Sequence, residues 1–516
     1  MCDTEHLADA KGCSVETAKP RSVAIVGAGI AGLCAGIYAQ KNGYASRIYE
    51  MSRVPGGLCT AWRRKGYIID FCIHWLVGSA PPGSLHKLWQ EVGLLEGREI
   101  IDLDEFARFE DKSGRTLVFF TDLARLEEHL IELSPADADL IKKVFRDTRR
   151  LCGRDMPSDL PPRELMSFSQ QLTTLPAMMP FVRVMRAWDR VTCAELADRF
   201  ADPLLAQAFR YVWMPESSTF FLLMTLAWLN DRVAGYPIGG SLPMARALEK
   251  RYLELGGEIE YESRVDRIMV EAHRAVGVRV AGGTERRADW VISAADGHST
   301  IFDLLGGAYT DEEVEHLYDT HPLFPSVLFV SLGVNRDLSH EPRVISGCWV
   351  PLEEPLDVGG RTVDHLHYHV HNFDPTFAPE GKTLITSTTD ADYEYWTDLS
   401  ARPEEYEKAK QALAEGVIRA LEARYPGIAR EVEMVDVATP ATIERYTGNW
   451  KGSMEGWLPV AGDMKKTPKK TLPGLSGLYM AGQWVVPGGG LPSGVMSARE
   501  VVQLICHEDV RTFTGE

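Results

Sequence analysis

No stretch of this chain is apolar for long enough to cross a bilayer. The longest such run is residues 220–229, about half of the twenty or so that a spanning helix needs. No two cysteines stand in C-x-x-C spacing, and the total of nine is odd, so no disulfide framework is expected. The thiols read as reduced, as in a cytoplasmic protein. Basic residues are in deficit, 55 Lys and Arg against 73 Asp and Glu, for a net charge of −18. That balance argues against nucleic acid as a partner and against attraction to anionic lipid. Internal repeats and low-complexity tracts are missing. Residues 1–20 have no apolar centre and carry Asp3, Glu5 and Asp9, so they read as a loose tail, neither signal peptide nor anchor.

What is present is ordinary for a globular chain: 45% hydrophobic and 25% charged residues. At 516 residues the chain is too long for one compact core, so two domains are expected.

The informative part begins at Val23-Ala24-Ile25-Val26-Gly27-Ala28-Gly29-Ile30-Ala31-Gly32. The apolar residues predict a buried parallel strand, and Ile30 to about Lys41 predicts a helix stopped near Gly43. Gly27 permits the tight turn, Gly29 lets backbone approach a pyrophosphate, and Gly32 lets helix and strand pack closely. Unpaired N–H groups at Ile30 and Ala31 then face the phosphates with roughly half a positive charge. A second strand, Arg47-Ile48-Tyr49, ends in Glu50, placed to accept hydrogen bonds from a ribose diol and to disfavour a 2′-phosphate.

After Glu50 and Met51 come Pro55-Gly56-Gly57-Leu58-Cys59-Thr60 and then Asp70-Phe71-Cys72-Ile73-His74. With these motifs the chain resembles the flavin-dependent amine oxidase superfamily, and within it the branch of phytoene desaturases, carotenoid isomerases and retinol saturases. The resemblance implies FAD, with Gly56, Gly57, Leu58 and Thr60 passing the diphosphate and His74 near the isoalloxazine ring. Cys72 and Leu58 depart from the branch's usual glycine and arginine. Further pieces fit in order: Tyr236-Pro237-Ile238-Gly239-Gly240-Ser241 before a helix of about fifteen residues, then a stretch in which the Val265 backbone would reach the adenine. A strand at Trp290-Val291-Ile292-Ser293 leads to Ala295, and Ala481-Gly482-Gln483 precedes Gly490-Leu491-Pro492. In the family the last two stretches carry the diphosphate and ring edge. Gln483 stands where an acid is frequent, and amide and carboxylate oxygens both accept hydrogen bonds.

The implied fold is α/β: a Rossmann-like FAD-binding domain with a doubly wound sheet, interleaved with an α+β substrate domain. The FAD-binding pieces are expected at 21–80, 236–300 and 441–516, and the substrate pieces at 81–235 and 301–440. Apolar stripes through Leu123, Leu126, Leu130 and Leu133, and through Tyr406, Ala409, Leu413, Val417 and Leu421, predict core-facing helices. Residues 175–229 are rich in Met and aromatics, an adaptable wall for a long apolar ligand or else ordinary core. Within them, 175–188 mixes apolar and basic residues, a candidate for peripheral membrane contact. His365, His367, His369 and His371 alternate along a predicted strand and so share one face. Without an accompanying cysteine cluster they predict a polar face, not a metal site.

The chemistry implied is FAD-dependent redox at flavin N5 on a lipophilic, polyene or isoprenoid-like substrate: desaturation, saturation or isomerisation. His74 is the candidate for proton transfer and Tyr236 a weaker one. No second dinucleotide fingerprint is present, so an external electron acceptor or donor is expected. Two alternatives share the fold. One is an oxidase of amines, amino acids or porphyrinogens; the other is a prenyl-binding escort-type protein without catalysis, which has no need of the full phosphate cradle.

Overall fold

The computed structural model describes residues 20–462, 468–486 and 488–516. The apolar strand Ser22–Val26 lies in a five-stranded sheet. Its order is Glu258–Glu260, Ala45–Tyr49, Ser22–Val26, Trp290–Ser293 and Leu478–Met480, every pair parallel. Strand side chains alternate across a sheet, and here the two sets enter different cores. Val23 and Ile25 join a cluster with helix Ile30–Lys41, while Ala24 and Val26 join another. Chain order runs outward both ways from Ser22–Val26, so the switch lies between it and Trp290–Ser293. In such sheets the crevice beyond the strands' carboxyl ends is where ligands bind.

Helices Ile30–Lys41, Ser241–Glu254 and Gly490–Glu508 cover one face of the parallel sheet. The other face packs against an antiparallel three-stranded sheet, Val265–Glu271, Arg274–Val280 and Thr284–Arg287. The crossover from Glu260 to Trp290 is made of these short strands, whose tight turns leave no length for a helix.

A seven-stranded sheet takes strands Glu105–Glu110 and Thr116–Phe120 from one side of the sequence and five strands between Val327 and Ala438 from the other. Helix Pro403–Arg424 covers one face, burying Leu413, Val417 and Leu421 as its stripe predicts, with Tyr406 and Ala409 partly buried. Helix Leu123–Leu133 buries Leu123, Leu126 and Leu130. The opposite face of the large sheet meets the loop after Asp70: Phe329 packs edge-on against Phe71, ring centroids 5.3 Å apart.

The Met- and aromatic-rich stretch is not one wall. Trp188, Phe181, Phe220 and Met224 are core, whereas Tyr211 and Met179 are exposed. Residues 168–188 form one helix, Phe168–Trp188, with a Ser167/Gln170 capping box at its start. Its second half is anchored by Phe181, Val184 and Trp188. Its first half presents Phe168, Leu172, Leu175 and Met179 to solvent, and their spacing puts them on one side. No helix among the described residues is long and apolar enough to cross a membrane.

Candidate functional site

At the carboxyl end of strand Ser22–Val26 the chain turns on Gly27, whose φ of +94° favours glycine. Gly27 N–H donates to Tyr49 O at 2.9 Å. Helix Ile30–Lys41 follows, with Gly29 as N-cap, no side-chain cap and no acid in its first turn. The first N–H groups of a helix have no partner inside it, so those of Ile30, Ala31 and Gly32 offer an anion site. A Cβ added to Gly29 would meet nothing nearer than Gly56 O at 4.0 Å. The space before the turn is therefore open at backbone distance, the cradle that a diphosphate needs.

Four other stretches converge on this turn. Glu50, buried, accepts from Ala28 N–H at 2.6 Å and from Ser52 N–H at 2.8 Å. Burial pushes its carboxyl up, opposed by the backbone N–H groups of Ala28, Ser52 and Met51. A carboxylate has about four acceptor positions, so two used by backbone leave room for a diol. Gly56 N–H donates to Ala28 O at 2.8 Å, and a Cβ on Gly57 would lie 3.4 Å from Gly29 Cα. Leu58 packs partly buried on the core beside this loop, and the Thr60 carbonyl accepts from Phe71 N–H at 3.2 Å. Val265 follows Ser263, whose N–H donates to Glu50 O at 2.8 Å. Ala295 N lies 3.6 Å from the Cβ position of Gly27. From the far end of the chain, Gly482 and Gly494 stand against the first helical turn: their Cβ positions lie 3.4 Å from Ala31 Cβ and 3.3 Å from Ala31 N. Leu491 and Pro492 open helix Gly490–Glu508, so two uncapped helix N-termini face the same region. The residues present fit a flavin dinucleotide.

The loop that follows Thr60 is organised by Asp70, which the sequence motif contains but to which it gives no role of its own. Asp70 Oδ2 accepts from Ser241 N–H at 2.5 Å, and Oδ1 accepts from Ser241 Oγ at 2.7 Å, Cys72 N–H at 3.1 Å and Ile73 N–H at 3.2 Å. One buried carboxyl thus caps helix Ser241–Glu254 and shapes the approach to His74. Burial pushes it up to about 6 against those donors. Gly240 is required beside it, since a Cβ there would stand 2.4 Å from Asp70 Oδ2.

His74 has a buried Nδ1 without a protein partner, and so do His369 and His371. The His74 and His369 rings stack with centroids 6.0 Å apart. Burial pushes His74 down, opposed by a hydrogen bond with the Ile345 backbone, so its imidazole is neutral at neutral pH. His369 Nε2–H donates to Val344 O at 2.7 Å and His367 Nε2–H to Ser346 O at 2.7 Å. Strand Thr362–Val370 stops one residue short of His371, which still reaches Thr386 Oγ1 at 2.9 Å. Each histidine thus has its own local partner, His365 taking Asp364. Among the described residues no group of three His, Cys, Asp or Glu side chains is arranged to hold a metal ion.

Tyr236 is buried with its O–H donating to Asp374 Oδ2 at 3.0 Å, and Asp374 also accepts from Gly239 N–H and from Thr376. Its hydroxyl ties strand Ala234–Pro237 to the turn at 374–376. Glu455 was also unassigned by sequence. It sits in a turn closed by Ser453 Oγ and Gly456 N–H (3.1 Å), with Gly456 packed on Gln483. An acid between glycines just before the closing segment is the signal that was there to be read. A separate cavity of about 640 Å³, lined by Arg21, Ser22, Arg274 and Trp290, opens at the starts of the parallel strands, the wrong end for a ligand of this sheet.

A family model described as flavin containing amine oxidoreductase matches residues 30–506. Relatives include a prolycopene isomerase of Daucus carota, 26% identical, covering 92% of this chain and 79% of that protein. A neurosporene-forming phytoene desaturase of Cereibacter sphaeroides is 26% identical, covering 93% of each. A lycopene-forming phytoene desaturase of Pseudescherichia vulneris is 24% identical, covering 95% of this chain and 99% of that one. Among solved structures, an oxidoreductase from Methanosarcina mazei matches with a TM-score of 0.59 at 18% identity, over 93% of this chain and 100% of that one. Putrescine oxidase bound to putrescine matches with 0.59 at 13%, over 95% and 99%. At such identities these structures speak for the fold alone.

Proposed function

The chain belongs to the flavin containing amine oxidoreductase family, and from that premise we propose that it is an FAD-dependent oxidoreductase acting on a lipophilic polyene or isoprenoid-like substrate. The observation that carries the substrate class is likeness, over more than nine-tenths of this chain, to proteins named for carotenoid desaturation and isomerisation. FAD, rather than a smaller flavin, is supported by Glu50 at the end of the second strand and by an open turn at Gly29.

When bound, the flavin supplies a two-electron acceptor or donor for hydride. The chain's own residues do the rest. The first turn of helix Ile30–Lys41 and the Gly56–Gly57 loop would hold the diphosphate; Glu50 and the Val265 backbone would hold the adenosine half. Gly482, Gln483, Gly490, Leu491 and Pro492 would close over the ring. His74, on the loop that Asp70 shapes, would line the substrate side with Trp75 and Trp213, whose rings lie 6.0 Å apart. Aromatic and apolar surroundings keep water from the reacting carbon.

The exposed side of helix Phe168–Trp188 supports contact with a membrane surface, from which a lipophilic substrate would be collected. Phe168, Leu172, Leu175 and Met179 are apolar and exposed, and Arg183 and Arg186 further along are exposed cations. The deciding experiment is an anaerobic screen of polyenes and amines against the purified flavoprotein, following flavin bleaching and product mass. Bleaching or a mass change with polyenes is expected. Reduction by amines or amino acids alone would overturn the substrate class.

A further inference from the structure

Glu455 lies at the tip of the turn beside Gln483, and its side chain covers Gly489, the residue that caps the final helix. A Cβ on Gly489 would stand 2.3 Å from Glu455 Cβ and 2.7 Å from Oε2. Gly489 and Gly490 are followed at once by the helical turn that would close over the ring. On the other side Glu455 is near enough to Cys72, two residues before His74, to act on it electrostatically. The carboxyl thus stands between the ring-edge segment and the substrate-side loop. Among the described residues it has no ion pair and no hydrogen-bond partner, although it is enclosed by protein and keeps only part of its surface open.

We infer that Glu455 is the proton-handling residue of this site, exchanging a proton with a ligand that lies over the first turn of helix Gly490–Glu508. The inference rests on the flavin–polyene reading above. A carboxyl held mostly out of water without a protein partner loses part of its hydration, which brings its neutral form within reach. Burial alone pushes it up to about 7, where a group serves as acid and base with equal ease. The helix N-terminus beside it favours the anion, so both forms are accessible. The titratable group it is near enough to influence is the Cys72 thiol, which is itself pushed up, first by a hydrogen bond with Cys59 and by burial, then by the charges of Cys59, Asp70 and Glu455. His74 is less suited to accept a proton, because its buried ring disfavours the cation.

In the oxidative direction the balance is as follows. One substrate C–H bond gives up hydride, and its two electrons pass to the flavin as oxidant. The adjacent C–H bond gives its proton to a Glu455 oxygen, and the electron pair left behind becomes the new C=C π bond. The neutral acid then releases the proton to solvent.

The test uses the flavin-loaded protein and the variants Glu455→Gln and Glu455→Asp. In wild type the visible spectrum of the bound flavin shifts with a midpoint near pH 7. Glu455→Gln binds flavin equally but lacks that shift, and Glu455→Asp restores a shift at a different pH. Anaerobic flavin reduction by a polyene that reduces the wild type is at least tenfold slower in Glu455→Gln. An unchanged spectral titration in Glu455→Gln, or polyene reduction within twofold of wild type, would overturn the inference. Should only amines reduce the wild type, the polyene reading fails, and the spectral titration alone decides whether Glu455 faces the ring.

Discussion

A Cβ placed on Gly32 would stand 1.9 Å from the carbonyl oxygen of Gly27, whereas one placed on Gly29 would meet nothing within 3.9 Å, its nearest neighbour being Gly56 O at 4.0 Å. Two glycines of one motif therefore serve different masters. Gly32 is demanded by the polypeptide itself, where helix crosses strand. Gly29, with an ordinary φ of −66°, is demanded only by whatever approaches the turn. Gly29→Ala is expected to fold with a melting temperature close to wild type yet to purify with little flavin. Gly32→Ala is expected to lose several kcal/mol, as overpacking against backbone cannot relax. Equal flavin content in Gly29→Ala and wild type would place the diphosphate elsewhere.

Asp70 accepts four hydrogen bonds from two stretches of chain. In Asp70→Asn the amide nitrogen cannot accept, so buried donors at Ser241 or Cys72 go unpaired, at about 2 kcal/mol or more, while Ile73 N–H keeps Ser241 Oγ. Urea unfolding should show that loss, with flavin content falling in step as the loop before His74 loosens. A variant as stable as wild type would mean that the donors find other acceptors.

His74→Gln separates placement from chemistry. With its ring neutral and Glu455 available for the proton, this variant is expected to bind flavin normally and to lose less than tenfold in the rate of flavin reduction, with the pH profile unmoved. A loss of a hundredfold or more, or a shifted profile, would return the proton to the imidazole. Tyr236→Phe should behave like a structural change, costing about 1 kcal/mol for its bond to Asp374 and leaving turnover within threefold.

The histidine strand predicts an acid limb in stability. Burial, aided by the neighbouring His74, pushes His367 down to about 4 and His371 down to about 3 from an ordinary value of 6.5. The unfolded chain therefore binds protons that the folded chain refuses. Their contribution is present above pH 6.5 and is lost as the pH falls toward 4, on the order of 1–3 kcal/mol for each. Asp70, raised from 3.8 to about 6, works in the other direction, its contribution being lost as pH rises through 6. Melting temperatures of His367→Gln between pH 6.5 and 4 should fall less steeply than those of wild type. Parallel curves would assign the acid limb to other groups.

Much of the candidate site's local structure could be read because its parts are local. The turn from Gly27 to Gly32 is dictated by backbone sterics within ten residues, and the helix after it by apolar spacing and a glycine stop. The same holds for Leu123–Leu133 and Pro403–Arg424, whose stripes name their buried faces. Periodicity is silent on what a strand or helix finally packs against. It therefore did not foresee the antiparallel sheet on one face of the parallel one, and it left residues 175–229 open between a ligand-facing wall and ordinary core. The helix Phe168–Trp188 divides that stretch, half anchored and half exposed.

The sequence by itself determined the glycine turn after the first strand and the acid at the end of the second, because each is a short-range steric or hydrogen-bonding requirement; the return of the chain's far end to that turn was legible only through the family resemblance. Only the tertiary structure decided which polar groups are satisfied. Asp70 meets Ser241 across 171 residues, His369 is folded against His74, and Glu455 is left beside Gly489 without a partner among the described residues. Such outcomes depend on which buried donors and acceptors the packed chain brings within 3 Å of one another, and one-dimensional spacing carries no record of that.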